Sequence, residues 1–169
     1  DIETLNMYRE RKEKGYKETD IMASIYAKGR DNARTPMQWD ATENAGFTKG
    51  VPWIKVNPNY KEINAASQTE DKTSVYHYYK RLIALRKKYD VFVDGHFRML
   101  LEEDENIFAY LREAEEQNLL VICNFYEKTI QCPLEDLRRK GTLLITNYKG
   151  TEDDSILRPY EARIYLLEK

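Results

Sequence analysis

Apolar positions along the chain change their period near residue 90. Before it they recur at helical spacing or without order; after it they alternate. Asp1 to Lys14 combines helix formers with a Gly15 stop, and Leu5 and Tyr8 share a face three residues apart. Lys17 to Lys28 repeats the design. Ile21 and Ile25 stand four apart, Met22 and Tyr26 make a second such pair, and Gly29 is a suitable C-terminal stop. Residues 30 to 68 have no clear period. They hold Pro36, Pro52, Pro58, Gly46, Gly50 and both tryptophans, Trp39 and Trp53. An unpatterned loop this long is uncommon in a compact domain and is usually functional. Thr73 to Lys88 gives the strongest helical pattern. Val75, Tyr78, Tyr79, Leu82 and Leu85 fall on a single apolar stripe.

From Gly95 onward the period is two. Phe97, Met99 and Leu101 alternate, Asp104-Glu105-Asn106 reads as a turn, and Ile107, Ala109 and Leu111 alternate next. Leu119 to Phe125 is apolar on both faces and reads as a central strand. Thr142 to Thr146 and Ala162 to Leu167 are further strands. Short strands at roughly ten-residue spacing, separated by turn signals, predict an antiparallel sandwich or barrel.

Composition narrows the function classes. Charged residues make up 33% of the 169, yet the formal net charge is only −2. Nucleic-acid binding needs a basic surplus, so no nucleic-acid partner is expected. The short runs Arg86-Lys87-Lys88 and Arg138-Arg139-Lys140 read as solvated faces. No apolar run approaches the roughly 20 residues that span a bilayer, so no membrane partner is expected. Thirteen tyrosines against five phenylalanines suit half-buried packing or a sugar-facing surface. Two cysteines, Cys123 and Cys132, are too few for a disulfide framework and point to a cytoplasmic origin with free thiols. If Tyr126 to Thr129 closes a hairpin, the two would fall opposite each other. Two histidines and no acidic cluster at ligand spacing predict neither a metal site nor a cofactor. The opening Asp1-Ile2-Glu3-Thr4 already reads as a helix start, as though cut from a longer protein.

One segment carries a family signature: Arg30-Asp31-Asn32-Ala33-Arg34-Thr35-Pro36-Met37-Gln38-Trp39-Asp40. It resembles the corresponding stretch of oligo-1,6-glucosidases, dextran glucosidases and related α-glucosidases of the α-amylase superfamily, glycoside hydrolase family 13. Asn44-Ala45-Gly46-Phe47-Thr48, Pro52-Trp53-Ile54, Val56-Asn57-Pro58-Asn59-Tyr60 and His77-Tyr78-Tyr79-Lys80 fit as well. The resemblance implies the tail end of a (β/α)8 barrel domain over residues 1–90, followed by an antiparallel Greek-key β-sandwich over 91–169. It further implies that the chain is the C-terminal part of a retaining α-glucosidase acting on α-1,6-linked or related short glucosides, with an oligosaccharide as partner.

Retaining enzymes need two carboxylates about 5–5.5 Å apart. In this family they lie on barrel strands upstream of the present chain, and no residue here matches their motifs. No catalytic residue is therefore expected, and the chain alone should be inactive. Asp31 and Asp40 suit capping or turn-making better. Substrate grip is what the chain can add. The resemblance implies an arginine of the signature beside the first glucose, with Arg34 the first candidate and Arg30 the second; the alternative role is a salt bridge that braces the loop. Trp39 and Trp53 are expected to pack on their own domain, and His77 to be structural. Two rival readings are a trehalose-6-phosphate hydrolase, a group that often carries Ser where Ala33 stands, and a non-catalytic carbohydrate-binding or stability module.

Overall fold

The structure, a computed structural model, describes residues 1–150 and 153–168. It divides into two compact units, Asp1–Ser74 and Val75–Lys169.

The first unit begins with two helices, α1 (Ile2–Glu13) and α2 (Glu18–Lys28). Asp1 caps α1 by accepting from the Glu3 N–H, which satisfies one of the orphan donors at a helix start. The two helices are tied by polar contacts more than by a core. The Tyr8 hydroxyl donates to Glu18 (2.7 Å), Arg11 donates to Ser24 (3.0 Å), and Lys12 pairs with Glu18. Ile21 is their only buried residue. The stretch read as unpatterned holds three 3-10 turns, Asp31–Ala33, Glu43–Gly46 and Pro58–Lys61, and one short helix, α3 (Ala65–Glu70). Asparagine side chains start two of these: Asn57 accepts from the Asn59 N–H and Asn64 from the Ser67 N–H.

The second unit opens with α4 (Val75–Lys88) and α5 (Val91–Asp94). Five strands follow in one antiparallel sheet: β1 (His96–Leu100), β2 (Ile107–Glu113), β3 (Gln117–Asn124), β5 (Gly141–Thr146) and β7 (Ala162–Glu168), in the order β1-β2-β3-β7-β5. A short ribbon of β4 (Ile130–Gln131) and β6 (Ile156–Leu157) forms a second sheet, and α6 (Glu135–Arg139) precedes β5. β3 lies at the centre, as its two-faced apolar run requires; Leu119, Leu120 and Ile122 are wholly buried. Alternation sorts the side chains into two cores. Ile107, Ala109, Leu111, Leu120 and Ile122 face the ribbon and α6, where Cys132 and Leu157 join them. Leu119, Val121, Ile164 and Leu166 face α4 and α5. Insertion of β7 between β3 and β5 gives the Greek-key link.

Three expectations are corrected here. The stripe on α4 divides: Tyr78, Leu82 and Leu85 pack on the sheet, whereas Val75 and Tyr79 are exposed. Helical residues four apart share a face only approximately, and the sheet covers a narrow one. Arg138 is not a solvated charge but is buried. It donates to the Pro133, Cys132 and Asp154 carbonyls and pairs with the Asp154 carboxylate. The hairpin that would set the cysteines opposite each other does not form, because β4 pairs with β6 and not with β3. Cys123 consequently packs with the α4-facing core and Cys132 with the ribbon-facing core, each as a free thiol. Burial pushes the Cys123 thiol up to about 11.

β7 also carries a buried ionic group. Arg163 and Arg158 both bond the wholly buried Glu161 carboxylate (2.8 and 3.0 Å), and Arg163 further donates to the Asp154 and Ile156 carbonyls. Every charge there has a partner, which is the condition for burying it.

Candidate functional site: the arginine-bearing loop

α2 stops at Gly29, whose N–H bonds the Ile25 carbonyl; a side chain there would meet that same oxygen at 2.8 Å. The chain then tightens into the Asp31–Ala33 turn, closed by N–H groups of Ala33 and Arg34 on the carbonyls of Arg30 and Asp31 (3.0 Å each). The turn sends the two arginines to different surroundings. Arg30 reaches back to the start of α1, where Nε and Nη2 bond the Asp1 carboxylate (3.0 and 3.3 Å) and Nη2 also pairs with Glu3 (2.7 Å). Arg34 is exposed, and among the described residues its guanidinium has no hydrogen-bond or ion-pair partner. A guanidinium so placed offers five donors in a planar fork to whatever approaches.

The rest of the loop is stiffened locally. Asp40 accepts from the Thr42 N–H (2.8 Å) and from its hydroxyl, so it makes a turn; those bonds hold its carboxyl below the usual range. Asn44, Ala45 and Gly46 all have positive φ, and the turn is closed by Trp39 and Asp40 N–H groups on the Ala45 carbonyl (2.9 and 3.3 Å). Three consecutive left-handed residues are costly and persist where surrounding bonds impose them. The tryptophans differ from expectation: Trp53 is 92% exposed and Trp39 half exposed.

A depression of about 260 Å³ near the start of α1 and the end of α2 is lined by Arg30 and Asp31, but not by Arg34. It is smaller than the usual ligand cleft. Its Asp1 carboxylate is engaged by Arg30. The exposed Arg34 guanidinium is the donor group this loop leaves open. Among the described residues, no group of three or more His, Cys, Asp or Glu could hold a metal ion. None of their helices is long and apolar enough to cross a membrane.

The family model "Alpha amylase, catalytic domain" matches residues 2–95, and "Maltogenic Amylase, C-terminal domain" matches 97–164. The chain belongs to the alpha-amylase family. It is 52% identical over 98% of its length to an oligo-1,6-glucosidase of Halalkalibacterium halodurans, and 54% identical over 98% to one of Parageobacillus thermoglucosidasius. It spans 31% of each. A crystal structure of Bacillus licheniformis trehalose-6-phosphate hydrolase is 44% identical and superposes with a TM-score of 0.87, covering all of this chain and 32% of that one.

Proposed function

We propose that the chain is the C-terminal part of a retaining α-glucosidase that hydrolyses α-1,6-linked or related short glucosides. On this reading residues 1–90 end the catalytic barrel domain and 91–169 form the C-terminal sandwich. The meeting of the two family matches at 95 and 97 supports a boundary in this region. The observation that carries the reading is the likeness to oligo-1,6-glucosidases across the arginine-bearing loop. The nucleophile and acid/base belong to the remainder of the enzyme.

Within this reading Arg34 grips the sugar and Arg30 serves chiefly as a brace. The contrast in their surroundings supports the division. Arg30 is already held by two carboxylates, whereas Arg34 keeps all its donors. Donors fixed before the reaction act most strongly as charge develops in the transition state. A second reading, trehalose-6-phosphate hydrolysis, is supported by the superposed hydrolase, while Ala33 favours the first.

Two assays test this. The isolated chain should show no isomaltose turnover above blank. In the longer enzyme Arg34→Ala should lower kcat by about 10²–10³-fold with the fold intact, and Arg34→Lys should not restore it, because an ammonium lacks the planar fork. Wild-type turnover in Arg34→Ala would make this arginine a mere brace. Faster hydrolysis of trehalose 6-phosphate than of isomaltose would favour the second reading.

A further inference from the structure

Arg34 offers its guanidinium without a side-chain partner among the described residues, so its aim is set by the backbone that carries it. On one side its own N–H closes the Asp31–Ala33 turn on the Asp31 carbonyl (3.0 Å). On the other, Pro36 is buried, and its ring fixes φ and holds Thr35 to extended backbone. The next fixed point comes from a distant part of the chain.

The first turn of α3 has N–H groups that no carbonyl of its own helix can reach. Those of Ala65 and Ala66 donate to the Gln38 and Trp39 carbonyls (2.8 and 2.9 Å). That of Ser67 donates to the side chain of buried Asn64 (2.9 Å), whose own amide donates to the Tyr60 carbonyl (2.9 Å). Gln38 closes the junction from the loop side. Its side-chain amide donates to Asn59 Oδ1 (3.0 Å) and to the Ile63 carbonyl. The signature segment thus caps a helix that Asn64 starts, and it cannot shift without leaving two helix donors unpaired.

We infer that Asn64 is a positioning residue for Arg34, with Gln38 its counterpart on the loop. Asn64 fixes where α3 begins, and α3 fixes Gln38 and Trp39. Together with Pro36 these set the direction in which the Arg34 side chain leaves the backbone. The clamp is a matter of the contacts above; the sugar grip it serves rests on the function proposed above. Donors held in place beforehand need not be ordered when the substrate arrives.

A double-mutant cycle in the longer enzyme tests the role, on whichever of isomaltose and trehalose 6-phosphate it turns over faster. Asn64→Ala removes the acceptor for the Ser67 N–H. It should lower kcat about ten- to a hundredfold with KM little changed, as expected of a small misplacement of a group that acts in the transition state. Asn64→Asp keeps that acceptor and should restore most of the rate. The decisive variant joins Asn64→Ala to Arg34→Ala. It should be no slower than Arg34→Ala alone, because nothing is left to position. Should Asn64→Ala not fold, the same cycle with Gln38→Ala carries the test. Losses that multiply beside a slow Arg34→Ala overturn the positioning role alone, as does wild-type kcat in folded Asn64→Ala. Wild-type turnover in Arg34→Ala overturns the grip proposed above, and the positioning role falls with it.

Discussion

The two units solve the same problem with different means. Among the described residues, fifteen of the seventeen buried apolar side chains lie in the second unit, and only Ile21 and Ala45 in the first. The first unit instead exposes ten large hydrophobic residues, Trp53 and Val51 most fully, and holds its course with asparagine caps, turns and ion pairs. Hydrophobic burial is what stabilises a fold through area removed from water; local hydrogen bonds each add only about 1 kcal/mol. The second unit thus carries its own hydrophobic core, while the first is held mainly by local hydrogen bonds and ion pairs.

The sharpest test of this contrast is to make the same cavity in both. Leu119→Ala or Leu120→Ala should destabilise the second unit by about 2–5 kcal/mol. Ile21→Ala should loosen residues 1–74 and leave the main denaturation midpoint almost unmoved. Urea unfolding followed by residue-resolved hydrogen exchange separates these outcomes, and an equal fall in midpoint for Ile21→Ala would break the contrast.

Next in size is Glu161. Burial pushes its carboxyl up, but hydrogen bonds from Arg158 and Arg163 outweigh this and hold it down at about 2. Glu161→Gln leaves Arg163 buried without its counter-charge and should cost about 3 kcal/mol. Because the folded state binds this proton more weakly than the unfolded chain, the stability it contributes is complete above pH ~4.5 and is lost as the pH falls toward 2. Acid titration of stability should therefore flatten in Glu161→Gln over that window; an unchanged slope would show that other carboxylates carry it.

The smallest effects come from two left-handed glycines. A Cβ on Gly46 would meet the Asp40 carboxylate at 2.6 Å, whereas one on Gly150 meets nothing within 4 Å. Gly150→Ala should cost about 1 kcal/mol, the strain of φ alone. Gly46→Ala should cost more and perturb residues 39–47. Equal losses, read from thermal midpoints, would mean that the Asp40 turn yields freely.

The same contrast explains what the sequence discloses. Long-period features were legible: α1, α2 and α4, the five strands of the main sheet, and the central place of β3. The two-residue strands β4 and β6 are too short for any period, and α6 follows Leu134 at φ 61, where no glycine or asparagine marks the turn. Partnership was harder to see than type. That β3 lies beside β7 depends on residues some 40 positions apart, so the local turn after Phe125 misled the reading of the cysteines. Arg138 looked solvated because a charge run says nothing of the carbonyls waiting for it. In the loop, the signature identified both arginines, but the Asp1 and Glu3 carboxylates that separate their roles sit 29 and 27 residues away.

The place of β7 has a consequence in time. It bonds β3 on one side and β5 on the other, and these strands do not touch without it. On a ribosome, β1, β2 and β3 can pair as they emerge, but β5 must wait with an apolar face open until residues 162–168 arrive. At about 5–20 residues per second the delay between β5 and β7 is about one to four seconds. During that interval the nascent sandwich is an incomplete sheet with a vacant lane beside β3, the period in which a chaperone or a neighbouring chain would most readily find it.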